Sequence, residues 1–139
     1  MPHIPHVIAF FVLVLAPGLI AQASPPPGYT WTENPSNGHF YTLTSPLTWS
    51  LAKAEADSLG PNVELATIRS QNENAWIVTN ITSSVAWIGF TDEAIEGTWV
   101  WRSGESVTYT NWYQGQPDDG GSGIGQDCGI INYAGTSGK

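Results

Sequence analysis

Positive charge is what this sequence has least of. Only Lys53, Arg69, Arg102 and Lys139 are basic, against twelve acids, so the formal net charge is −8. A surface of that sign repels a phosphate backbone rather than neutralising it, which excludes nucleic acid as a partner. Histidine is scarcer still, with three. His3 and His6 sit at the extreme N-terminus, leaving His39 alone in the rest of the chain. With one cysteine, Cys128, there is no His/Cys cluster for zinc. No Gly-x-Ser-x-Gly elbow accompanies His39 either, so a serine hydrolase has no starting point. Neither expected helix carries a catalytic constellation, and the chain reads as a binder rather than an enzyme.

What is present suffices for one packed domain. The chain has 139 residues, 41% of them hydrophobic, with seven tryptophans. That composition supplies a core and argues against disorder.

The N-terminus reads as an export signal. Val7 to Ala16 is a continuous apolar run, followed by Pro17-Gly18 and the small-x-small sequence Ala21-Gln22-Ala23. The run is too short to span a bilayer as a helix, and it departs from the usual pattern in having no Lys or Arg before it. The expectation is a signal peptide over 1–23, a Pro/Asn-rich entry segment over 24–36 and a folded domain over 37–139. The mature chain is then secreted, extracellular, periplasmic or displayed at the cell surface, with no membrane span after cleavage. A lone cysteine in an exported chain points to a missing partner or to intermolecular pairing. Asn80-Ile81-Thr82 qualifies as a glycosylation acceptor if the host glycosylates.

The acids are unevenly spread. Asp92, Glu93, Glu96, Glu105, Asp118, Asp119 and Asp127 lie in a stretch where Arg102 is the only base. Gathering like charges costs free energy unless something positive sits among them. A loop-borne hard cation held by oxygens accounts for the clustering better than a solvated face does.

The remaining elements follow from pattern. His39-Phe40-Tyr41-Thr42-Leu43 alternates as a first edge strand. Thr48 caps a helix from Trp49 to Leu59 whose Leu51, Ala52, Ala56 and Leu59 share one face, and Gly60-Pro61 ends it. Glu64 to Ile68 reads as a short strand. Ser70-Gln71-Asn72-Glu73 is a capping box opening a second helix that carries Trp76 and Ile77 toward Ile81. Trp87-Ile88-Gly89-Phe90 has the composition of a buried central strand, Thr91 to Gly97 is an acidic turn, and Thr98-Trp99-Val100-Trp101 alternates as another strand.

Taken in order, Trp49 near a helix start, Leu65-Ala66-Thr67-Ile68, Trp87-Ile88-Gly89-Phe90, Glu96-Gly97-Thr98-Trp99-Val100-Trp101, Asn111-Trp112, Gln116-Pro117-Asp118 and Gln126-Asp127-Cys128 resemble the C-type lectin-like domain. The resemblance implies an α+β fold in which two helices flank small antiparallel sheets and a long loop presents calcium and sugar. It also implies roles. Gln116 and Asp118 match the sugar-binding calcium tripeptide, whose proline is cis in the family and whose Gln-Pro-Asp form goes with galactose-type ligands. Gln126 matches a further ligand position usually held by an acid, and its neutral amide should weaken calcium. Asp92, Glu96, Asp119 and Asp127, with Gln126 shared, match an auxiliary calcium site. Trp112 is expected to pack in the core rather than stack on sugar.

In the same resemblance Cys128 matches the first cysteine of a short disulfide whose partner is expected past Lys139. Asp57 stands where a longer bridge usually begins. The family's Trp-Asn-Asp strand is likewise expected past Lys139, so the domain is expected to be C-terminally truncated. The implied function is calcium-dependent carbohydrate binding without catalysis. The alternative is a calcium-stabilised domain of the same fold that serves protein–protein interaction or adhesion without sugar.

Overall fold

A computed structural model of the chain describes residues 7–13, 25–118 and 126–132. Its elements run β1 (Val7–Leu13), β2 (Thr32–Asn34), β3 (His39–Leu47), α1 (Trp49–Ser58), β4 (Val63–Leu65), α2 (Gln71–Asn80), β5 (Ala86–Thr91), β6 (Val100–Trp101) and β7 (Cys128–Ile131). The strands join in the order β2-β3-β1-β5-β6, with β4 paired to β1 and β7 paired to β5. Every pairing is antiparallel except that of β1 with β5.

Both helices start where their caps dictate. The Thr48 side chain accepts from Leu51 N and the Ser70 side chain from Glu73 N, each satisfying a first-turn donor. In α2 the Glu73 side chain also reaches back, but past the cap: its Oε2 accepts from Arg69 N, the residue before Ser70, at 2.7 Å. Glu73 also anchors a buried network. Tyr41 Oη donates to its Oε1 at 2.5 Å, and the Arg69 guanidinium bridges it to Glu105. Burial then the Glu73 carboxylate push the Tyr41 hydroxyl well above the usual phenol range.

The core has two parts. Tyr41, Ala66, Ile68, Ile77, Ala86, Ile88, Phe90, Trp101 and Ile131 form one, under α2. Phe11, Trp49, Ala52, Ala56, Val63 and Leu65 form the other, under α1. Two indoles stitch the elements around β5: Trp49 Nε1 donates to Ile88 O at 2.9 Å, and Trp87 Nε1 donates to Leu47 O at 3.1 Å. Gly89 allows β5 to pass the 65–66 backbone, where a Cβ would stand 2.7 Å from Leu65 O.

Several sequence expectations are corrected. Leu51 is 54% exposed and does not share the buried face of α1, which is built from Trp49, Ala52 and Ala56. The expected strand over Glu64–Ile68 pairs only as Val63–Leu65, although Ala66, Thr67 and Ile68 are buried. His39–Leu43 is not an edge, since β2 lies outside it and β3 continues to Leu47. The strand expected from Thr98 is laddered only at Val100–Trp101. Apart from these, Val7–Leu13, which falls within the expected export signal, is laddered as the middle strand of the sheet, with Phe11 fully buried. The expected cleavage sequence at 21–23 lies outside the described residues.

Candidate functional site

The candidate site is built at the end of β5 and on the loops that return to it. β5 closes with Thr91, whose hydroxyl donates to Asp127 O at 2.5 Å, while Asp92 N donates to the same oxygen at 3.2 Å. These two bonds hold the approach to β7 against the acidic turn. The turn itself is tied by Ile95 N to Asp92 O at 3.0 Å and Thr98 N to Ile95 O at 2.9 Å. Gly97, at φ 75°, takes the left-handed conformation that closes it.

Asp92 is the unusual group. It is 3% exposed. Its Oδ2 accepts from Gly97 N at 2.9 Å, but its Oδ1 is buried with no hydrogen-bond partner. A buried carboxylate oxygen left unmatched costs on the order of 1–3 kcal/mol, and more when charged. Asp127 is half-buried beside it, whereas Glu93 and Glu96 are exposed on the turn. Cys128 follows directly, opposite Thr91 in the β5–β7 ladder. Its thiol is free, and burial, then the nearby Glu93 and Asp127 charges, push its pKa up to about 12. It is therefore a packed sulfur rather than a reactive thiolate.

The second group of residues rides on the loop after β6. Its root is aromatic. Trp112 packs edge-to-face on Trp99 with ring centroids 4.7 Å apart and against Phe90 at 5.6 Å, and Phe90 in turn contacts Trp101 at 4.3 Å. Trp112 nonetheless keeps 37% of its surface exposed, so it both packs and faces solvent. Beyond it a turn closes with Gln116 N donating to Tyr113 O at 2.9 Å, and the Gln116–Pro117 bond is cis. Asp118 is exposed and Gln116 partly so, at the outer end of the described loop.

The structure thus brings Asp92 and Asp127 together and sets Gln116 and Asp118 on an aromatic-rooted loop. Gln126 is exposed at the entry to β7. Asp119, the remaining carboxylate of the expected set, lies outside the described residues. Among the described residues, no group of three or more His, Cys, Asp or Glu side chains is placed to hold a metal ion. Asp57, at the expected start of the longer bridge, instead pairs with Lys53 at 3.9 Å and Arg102 at 3.5 Å. The bonds made by Thr91 and Gly97 were missed by sequence reasoning. The signal that could have revealed them was the hydroxyl directly before Asp92 and the glycine five residues after it.

Comparison with known proteins adds independent findings. A family model described as "Lectin C-type domain" matches residues 45–139. Lectin BRA-3 of Megabalanus rosa is 34% identical over 120 residues, covering 86% of this chain and 71% of that protein. A perlucin-like protein of Mytilus galloprovincialis is 30% identical over 134 residues, covering 89% and 81%. Among solved structures, the carbohydrate-recognition domain of the human scavenger receptor C-type lectin superposes with a TM-score of 0.54 at 36% identity, covering 63% of this chain and 68% of that one. The carbohydrate-recognition domain of cow CD23, solved in the presence of a GlcNAc2Man3 oligosaccharide, gives 0.52 at 29% identity, covering 59% of this chain and 60% of that domain.

Proposed function

The chain belongs to the C-type lectin domain family, and from that premise we propose that it is an exported module that binds carbohydrate through calcium, with galactose-type preference. The observation that carries the reading is the Asp92 carboxylate, 3% exposed and with one oxygen unmatched. A buried anion with a vacant acceptor fits a cation better than it fits an apolar core. Asp92, Glu96, Asp119 and Asp127, with Gln126, would hold the auxiliary ion. Gln116, Asp118 and Gln126 would hold the sugar-site ion. Calcium takes six to eight oxygens, so an ion held by few protein groups keeps positions for vicinal sugar hydroxyls.

The chain's own residues do the rest. Gln116 and Asp118 present amide and carboxylate oxygens that accept from sugar hydroxyls, and the Trp99–Trp112 contact steadies the loop that bears them. No covalent step is involved. Export rests on the apolar run and the small-x-small sequence. Among the described residues no helix is long and apolar enough to cross a membrane.

The test is retention on immobilised galactose and on immobilised mannose, each in calcium and in chelator. The reading requires calcium-dependent retention on galactose, and the paired change Gln116→Glu with Asp118→Asn should move preference toward mannose. Retention that survives the chelator would sink the calcium role. Retention by neither sugar, with a calcium-dependent melting temperature, would leave a metal-stabilised fold for protein recognition, the alternative that the neutral Gln126 keeps open.

A further inference from the structure

A trough of about 730 Å³ opens where the outer edge of β3 runs past β2. The β2 ladder covers only residues 39–41 of β3, which continues to Leu47 with no further strand on that side among the described residues. Tyr29 and Thr30 from the entry segment, Glu55 from α1, and Asn80 and Ile81 from the end of α2 wall the step. None of the described wall residues belongs to the candidate calcium site: Asn80 and Ile81 precede β5, whereas Asp92 follows it. All of them follow Ala23, so removal of the expected signal would leave them in the chain.

The floor of the trough is already satisfied. Tyr41 is fully buried and donates to Glu73, and the buried Thr42 donates through its hydroxyl to Thr30 O at 2.9 Å. At the rim, Tyr29 Oη donates to Glu55 Oε1 at 2.6 Å, and Asn80 Nδ2 donates to Trp76 O at 2.8 Å. Each bond fixes its side chain and leaves a second oxygen, Glu55 Oε2 or Asn80 Oδ1, as an acceptor with no donor among the described residues. The hydroxyls of Thr30, Thr32 and Ser45 also make no hydrogen bond among the described residues, and each can donate or accept.

We propose that this trough is a second binding site, independent of calcium, for a neutral oligosaccharide of more than one pyranose unit. Oriented acceptors beside adaptable hydroxyls suit a ligand that donates hydrogen bonds from many points, as a sugar chain does. Its described wall includes the acidic Glu55 and no basic residue, so a carboxylate or sulfate on the ligand would meet repulsion with no counter-charge. Leu43, Ile81 and the Tyr29 ring supply apolar surface for the C–H faces of the pyranoses. The volume falls in the range of roughly 300–1,000 Å³ usual for small-ligand sites, and one pyranose fills only a part of it. Retention on an immobilised monosaccharide therefore still reports the calcium site alone. The inference holds whether or not that site binds calcium.

The experiment titrates the isotope-labelled full chain in chelator with cellotetraose, mannotetraose and chitotetraose, following backbone amides by NMR. At least one of them should give saturable shifts centred on Tyr29, Thr30, Thr32, Ser45 and Ile81. Galactose alone, and the anionic tetragalacturonate, should give none there at the same concentration. Glu55→Gln keeps an oxygen for the Tyr29 hydroxyl but sets an amide donor where the free acceptor stands, and should weaken binding about tenfold, the scale of a hydrogen bond to a charged group. Ser45→Trp fills the trough from an exposed position and should abolish saturation with an unchanged melting temperature. Galactose added with calcium reads the other site through the amides of Asp92, Gln116, Asp118 and Asp127, so the two readings fail separately. The proposal is overturned if none of the three tetrasaccharides gives saturable shifts at the trough, or if both variants bind as the parent does. It is also overturned if tetragalacturonate binds equally well, or if a neutral serine-rich decapeptide does, which would assign the trough to a peptide.

Discussion

Replacing Asp92 by asparagine should move stability in opposite directions with and without calcium. The side chain is buried, Oδ2 takes the Gly97 N–H, and Oδ1 has no partner. Asparagine keeps the shape and can keep the bond to Gly97 through its carbonyl oxygen, which sets its amide nitrogen where Oδ1 has no partner. The exchange removes a buried charge that nothing nearby matches but leaves a neutral unmatched donor, so its net worth is ~1 kcal/mol. For a chain of this size 1 kcal/mol corresponds to about 4 °C in Tm. In chelator, Asp92→Asn should therefore melt about 4 °C above the parent chain. In calcium at a hundredfold excess over Kd, the parent gains ~2.7 kcal/mol, or about 11 °C, because the ion binds the folded state. The variant should gain less than a third of that. Differential scanning calorimetry in the two buffers measures both numbers. A variant that melts below the parent in chelator, or that keeps the full calcium increment, would refute the assignment of Asp92 as a cation ligand.

Three further outcomes follow from contacts away from the loop. Tyr41→Phe removes the 2.5 Å donor from the buried Glu73 carboxylate and should lower unfolding free energy by ~2 kcal/mol in a urea titration, with an unchanged m-value. Gly89→Ala places a methyl 2.7 Å from Leu65 O, a backbone atom that cannot swing aside; the expected loss is ~1–3 kcal/mol, and a neutral result would mean β4 and β5 are farther apart. Burial and then the Arg69 charge hold the His39 imidazole below its ordinary pKa, with Glu73 and Glu105 opposing them. The folded state thus binds this proton less readily than the unfolded chain, so His39 costs nothing above about pH 6.5 and costs stability as pH falls below it. His39→Gln should flatten that part of the stability–pH curve, and an unchanged slope between about pH 5 and 7 would count against it.

Local chemistry was the legible part of this chain. Thr48 and Ser70 announce their helices because a cap is a short-range hydrogen bond between neighbours in sequence. The β5 strand was readable because Ile88 and Phe90 are apolar and bounded by turn residues. What escaped depends on distant groups. Leu51 and Trp49 are equally apolar, and only the third dimension decides that the indole reaches Ile88 O while the leucine faces water. The Arg69–Glu105 clamp joins residues with no pattern linking them. In the site, the resemblance named Asp92 and Asp127. The Thr91 hydroxyl and Gly97 amide that fix their surroundings became visible only once β7 lay beside β5. The apolar Val7–Leu13 run satisfies two readings at once, since secretion machinery and a covered strand ask for the same composition.

The Phe90–Trp99–Trp112 contact gives the molecule an optical reporter at the root of its presenting loop. Two indoles set edge-to-face at 4.7 Å couple their excited states, and that coupling depends steeply on their mutual angle. Any event that loosens the chain between Trp112 and Asp118 should therefore register in the aromatic circular dichroism, before the sheet beneath has begun to melt. The protein carries its own gauge of loop order, readable without a label.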